Sequence, residues 1–139
     1  MAAAAATPAT PPLHLTTSEL VGHYLVLEPA ARSARRSGAR VVLLHGWHQS
    51  SECWLKTACE LRDRYGHSVL LLDWLGHGRS PCDPRMMTPD LLLLQLERAL
   101  ALVGWDTGGK LALAGISLGG GMSMDERSHR SLSRRKQTV

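Results

Sequence analysis

The sequence predicts an α/β protein built on a mostly parallel sheet with helices on both faces, and three observations carry that prediction. The apolar runs Arg40–Leu44, His67–Leu72 and Lys110–Ala114 are near-continuous rather than alternating, as in strands buried on both faces. Segments with helical spacing separate them, and strand–helix alternation of this kind builds parallel sheets. Each run then ends on small or polar residues that let the chain turn: His45-Gly46-Trp47, Asp73 through Ser80, and Gly115-Ile116-Ser117-Leu118-Gly119.

Residues 1–12 are rich in Ala, Thr and Pro and lack the basic start of a signal peptide, so a disordered terminus is expected, with a plastid transit peptide as the competing reading. Leu13–Thr16 and Tyr24–Leu27, set off by Gly22 and Pro29, predict an antiparallel hairpin. Residues 30–39 read as a polar, basic loop before the strand at Arg40–Leu44. From Ser50 to Tyr65 the spacing is helical, with Trp54, Leu55, Ala58 and Leu61 on one face and Gly66 as the stop. The strand His67–Leu72 runs into Asp73 and the glycine-rich turn Gly76–Ser80. Thr88-Pro89-Asp90 then opens a mostly apolar helix by cap, first-position proline and early acid, and Gly104 closes it. No internal repeat is present.

With 139 residues, 44% of them hydrophobic and no phenylalanine, the chain has material for one modest domain. No run approaches the ~18 apolar residues of a membrane span. Cys53, Cys59 and Cys82 are odd in number and lack C-x-x-C spacing, which indicates neither a disulfide framework nor a zinc site. Reduced thiols and a cytoplasmic setting are expected. The net charge of +4 is unevenly placed: Arg127, Arg130, Arg134, Arg135 and Lys136 against Asp125 and Glu126 put +3 in residues 125–139 and leave +1 for the rest. Any electrostatic partner would therefore be read by the tail alone.

The last of the three turns matches G-x-S-x-G and follows an apolar run, the setting of a nucleophile elbow. Gly115 and Gly119 supply the small residues that a sharp strand-to-helix turn needs on either side of Ser117. A serine hydroxyl is a poor nucleophile at its own pKa. It needs a general base in reach and donors for the oxyanion. The bland alternative is a glycine-rich turn carrying an idle serine.

Taken together and in order, the three motifs resemble the α/β-hydrolase family over about residues 20–124. The resemblance implies a mostly parallel sheet whose first strands form a hairpin, and a serine hydrolase that cleaves carboxylesters or lipid esters through an acyl-Ser117, without cofactor or metal. It implies that the backbone N–H of Leu118 and of Trp47 are the oxyanion donors, and that His45, with Gly46, shapes the oxyanion loop rather than acting as the base. The Asp73–Ser80 turn would be structural, with Gly76 and Gly78 permitting the bend and His77 a loop histidine. Trp54 would pack under the oxyanion loop, Cys53 would be a buried or half-buried structural thiol, and Met86, Met87, Met122 and Met124 would serve packing or lie in loops.

In the family the acid and histidine of the triad follow the serine on loops after later strands. Here 22 residues follow Ser117, polar and Arg/Ser-rich from Asp125 onward. Asp125 and His129 come in the right order, but in a continued helix Asp125 would lie ~12 Å along the axis from Ser117. The expectation is thus the N-terminal part of a hydrolase domain over residues 13–124, in truncated form and inactive as written, with a disordered basic tail at 125–139. A small-molecule ester is the substrate implied for the full-length family, and self-association through an exposed sheet edge beyond the elbow strand is expected. The alternative is a non-enzymatic fragment or an interaction protein whose Arg-rich tail binds RNA or an acidic partner. The tail has no aromatic side chains to stack bases, which argues against nucleic acid.

Overall fold

The structure is a computed structural model that describes residues 15–30, 38–83 and 87–125. The expected terminus 1–12, Leu13, His14, most of the 30–39 loop, Met86 and the basic tail from Glu126 onward, His129 included, lie outside those residues. The elements are α1 (Thr17–Val21), β1 (Tyr24–Leu27), β2 (Arg40–Leu44), a 3-10 turn (Ser51–Trp54) leading into α2 (Leu55–Tyr65), β3 (Ser68–Leu72), α3 (Pro89–Leu102), β4 (Leu111–Gly115) and α4 (Leu118–Met124). The sheet order is β1-β3-β2-β4, with β2 parallel to both β3 and β4 and β1 antiparallel to β3. The predicted class, a mostly parallel sheet with flanking helices, is the one observed.

The antiparallel pair is made differently from the sequence expectation. Thr16 accepts the Glu19 N–H on its hydroxyl while the Glu19 carboxylate accepts the Thr16 N–H, a capping box that starts α1. Local capping thus takes Thr16 out of any hairpin with Tyr24–Leu27. β1 pairs instead with β3, in the register Tyr24 to Leu72 through Leu27 to Val69.

Helix boundaries follow the chemistry of their ends. Gly66 closes α2 in the left-handed conformation at φ 69°. Thr88 accepts the Leu91 N–H and Pro89 occupies the first turn of α3, which ends at Leu102 just before Val103 and Gly104. One residue of the predicted α2 face is misplaced: Trp54, Ala58 and Leu61 pack on the sheet, whereas Leu55 is exposed.

Alternation along β2 and β3 splits the core in two. Val42, Leu44, Leu70 and Leu72 face a large cluster with Trp74, Leu92, Leu96, Leu100 and Met122, on the α3 side. Val41, Leu43, Val69 and Leu71 face a smaller cluster with Ala58 and Trp54, on the α2 side. Trp54, expected under the oxyanion loop, is partly buried and packs against that second cluster. β4 departs from the expected two-sided burial. Leu111 and Leu113 pack against the large cluster, but Ala112 and Ala114 are exposed, because α2 covers β3 and β1 and does not extend over β4. Among the described residues β4 is an edge strand, and no helix there is long and apolar enough to cross a membrane.

Candidate active site

Three loops leave the carboxyl ends of β3, β2 and β4, the side of a parallel sheet where ligands usually bind. The loop after β3 is closed by its own hydrogen bonds. Asp73, 2% exposed, accepts the Ser51 N–H on Oδ1 at 2.6 Å and the Arg79 N–H on Oδ2 at 3.0 Å, and His23 Nδ1 lies 3.0 Å from the same Oδ2. Burial by itself pushes the Asp73 carboxyl up, but the Arg79 and Ser51 N–H groups and the His23 ring outweigh it and hold the carboxyl below its ordinary value. The fully buried Gln95 of α3 donates to Val21 O and Asp73 O and accepts the Leu75 N–H. Ser80 Oγ donates to Asp73 O and accepts the His23 N–H. Gly76 and Gly78 turn the chain at φ 80° and 51°. His77 is buried, with Nδ1 3.2 Å from Leu75 O and its ring 5.0 Å from that of Trp47.

The loop after β2 begins with the fully buried His45. Its Nε2 accepts the Trp74 N–H at 3.0 Å and its Nδ1 lies 2.8 Å from Gly46 O, so the partners assign a neutral imidazole with the proton on Nδ1. Burial, opposed by the Gly46 carbonyl, lowers the His45 pKa and keeps the ring uncharged. With both nitrogens committed, this histidine has no lone pair left to take a proton from a serine. Gln49 turns back on Gly46: its Oε1 accepts the Gly46 N–H at 2.9 Å and its N–H donates to Gly46 O at 3.3 Å. His48 between them sits at φ 58°, and Trp47 is 51% exposed.

The third loop is the G-x-S-x-G turn. Ser117 has φ 51° and ψ −113°, a conformation that a residue with a Cβ rarely adopts and that costs on the order of 1–3 kcal/mol. Close packing leaves it little choice. A Cβ on Gly119 would stand 2.2 Å from Leu44 O, and one on Gly115 2.2 Å from the Gly119 carbonyl carbon, so the start of α4 lies directly on the ends of β2 and β4. Ile116 donates its N–H to Leu44 O, which ties the turn to β2. Ser117 itself is exposed, and its Oγ makes no hydrogen bond with any described residue. A Cβ on Gly46 would come 3.3 Å from Ser117 Cβ, so the β2 loop abuts the serine.

The structure therefore brings together Ser117, Leu118, Gly115, Gly119, Gly46 and His45, and it carries Trp47 alongside. Neither the Trp47 nor the Leu118 N–H donates to a described residue. Asp125 follows α4 at the far end from Ser117. Cys53, expected buried or half-buried, is exposed; partial desolvation of the thiol pushes its pKa up, away from the thiolate. Met122 is buried in the large cluster and Met124 is exposed, while Met87 packs against Gly76. Among the described residues no cluster of three or more His, Cys, Asp or Glu could hold a metal ion. Sequence reasoning missed His23, Gln49 and Gln95. Gln95, a polar residue in the apolar run of α3, was the one with a visible signal.

Two solved structures share the fold of this chain. A proline iminopeptidase from Mycobacterium smegmatis is 23% identical, with a TM-score of 0.62 over 79% of this chain and 36% of its own. A structure titled marine microorganism esterase is 24% identical, with a TM-score of 0.50 over 62% of this chain and 29% of its own. At such identities the likeness establishes fold, and the chain spans about a third of the length of these proteins. No curated protein sequence matches the chain. Residues 41–134 match the alpha/beta hydrolase family, a stretch that runs from the second strand through the serine turn and covers more than half of the sequence. On that match and on the strand order and loops described above, the chain belongs to the alpha/beta hydrolase family.

Proposed function

We propose that Ser117 is the nucleophile of a serine hydrolase acting on carboxylesters or lipid esters, with the N–H groups of Trp47 and Leu118 as oxyanion donors. The observation that carries this reading is the combination at one point of a strained, exposed serine, a hydroxyl without a hydrogen-bond partner among the described residues, and two N–H groups uncommitted among them on the segments that touch it. In the reaction, Oγ attacks the ester carbonyl carbon as its proton passes to a base. The carbonyl oxygen becomes an oxyanion held by the two N–H groups, and the C–O bond to the leaving alcohol breaks as that alcohol is protonated. Water then attacks the acyl-Ser117 and releases the acid.

Among the described residues no side chain stands as the base. His45 is spent on Gly46 O and the Trp74 N–H, and no described imidazole bonds to Ser117 Oγ. Turnover at Ser117 therefore calls for an imidazole from outside the described residues. Loss of the base from such a site leaves only the part of the acceleration that comes from oxyanion binding, a drop on the order of a thousandfold or more.

Labelling of the purified chain with a fluorophosphonate, with and without added imidazole, tests this. The expected result is slow labelling at neutral pH that added imidazole accelerates and that Ser117→Ala abolishes. Labelling that never depends on Ser117 would remove the nucleophile assignment. Rapid Ser117-dependent labelling without imidazole would show that the chain supplies its own base.

A further inference from the structure

We infer that Gln49 is a positioning residue of the oxyanion site: it clasps Gly46 from both sides and so sets the direction of the Trp47 N–H. The inference rests on the oxyanion role proposed above for Trp47. Gly46 joins two peptide groups, and each is pinned. The peptide before it is held by its N–H on Gln49 Oε1 at 2.9 Å. The peptide after it is held by its carbonyl oxygen, which accepts the Gln49 N–H at 3.3 Å and lies 2.8 Å from His45 Nδ1.

In a trans peptide the C=O and the next N–H point in opposite directions. Because the Gly46 oxygen faces His45 and Gln49, the Trp47 N–H faces away from both and is left uncommitted. The Gln49 oxygen also occupies the Gly46 N–H, so that neighbouring donor does not compete with Trp47. Glycine at position 46 makes such a clasp consequential. With no Cβ its dihedrals are the softest in the loop, and a bulkier residue there would strike Gln49 Oε1 at 2.8 Å and crowd Ser117 at 3.3 Å. A donor whose direction is set before substrate arrives needs no reorganisation in the transition state. Gln49 is exposed, and its side chain has no other hydrogen-bond partner among the described residues.

The test compares the full wild-type chain with Gln49→Leu, which has no acceptor, and Gln49→Glu, which keeps one. Two readouts are taken in about 0.5 M salt, where an exposed carboxylate is screened. The first is amide hydrogen exchange at Gly46, which needs no chemistry at the serine. Gln49→Leu is expected to speed it about tenfold and Gln49→Glu to leave it near wild type. The second is the imidazole-assisted rate of Ser117 labelling, expected to fall about tenfold in Gln49→Leu and to recover in Gln49→Glu. Unchanged Gly46 exchange in Gln49→Leu would overturn the clasp. Faster exchange with an unchanged labelling rate would overturn the positioning role, leaving Gln49 a loop brace. A wild-type chain that never labels Ser117 would overturn the proposed function and this inference with it, so the two failures are told apart by the wild type alone.

Discussion

The loops after β3 and β4 leave the same end of the sheet, on either side of β2, and solve opposite problems. Asp73, Gln95 and Ser80 knit the first loop to β1, to the 3-10 turn and to α3, and each of these three side chains is buried and bonded. The second has a serine at φ 51°, whose hydroxyl and the following Leu118 N–H have no partner among the described residues, exposed at the end of a strand covered on one face. Buried polar groups must be paired, so the first loop is rigid and chemically silent. Unpaired groups survive in the second because water reaches them, and those are the groups a substrate can engage. The strain at Ser117 is sustained by backbone packing of Gly119 on Leu44 rather than by side-chain bonds.

Breaking the silent loop should have the largest effect. Asp73→Ala strands the N–H groups of Ser51 and Arg79 and should cost about 4 kcal/mol in denaturant unfolding. The same carboxylate fixes an acid limb. Its folded pKa lies below the unfolded one, so its stabilisation is complete above the ordinary carboxylate range and disappears as pH falls through the lowered folded value. Asp73→Asn should flatten the fall in unfolding midpoint below about pH 4. An Asp73→Asn profile parallel to wild type there would mean that the carboxylate charge is not what holds the loop.

Next in size is the packing that supports the elbow. Gly119→Ala would force a Cβ into Leu44 O and should cost about 3 kcal/mol, read by the same unfolding measurement. A neutral result would mean that α4 does not rest on β2. Smallest, and opposite in sign, is Ser117→Gly, which should stabilise the fold by about 1 kcal/mol by relieving the positive φ. Destabilisation instead would show that the elbow stores no strain. If both changes in the elbow behave as stated while Asp73→Ala unfolds the chain, the contrast between a bonded loop and a strained one holds.

Local patterns account for most of what could be read in advance. The strands Arg40–Leu44 and Ser68–Leu72 follow from continuous apolar runs, and α3 from its Thr88 cap and Pro89. Gly66 marks the end of α2, and the glycine spacing around Ser117 anticipates a turn too tight for side chains. These signals act over a few residues, through period, dihedral preference and the space a Cβ needs, and such information is written in neighbouring positions.

Contacts between distant segments were decided by the folded chain. Thr16 could have begun a strand by pattern, but its hydroxyl and Glu19 close a capping box, and β1 finds its partner in β3. Leu55 and Ala112 look like core residues by spacing and are exposed, Ala112 because α2 spans only part of the sheet. His23 meets Asp73 and Gln95 meets Val21 only after β1, β3 and α3 have packed, since which buried donor finds which acceptor is fixed by where the elements come to rest. Amino-acid order thus set the strands and the serine turn, while tertiary packing chose the partners, because a hydrogen bond between remote segments exists only once the surfaces that carry them have been buried together.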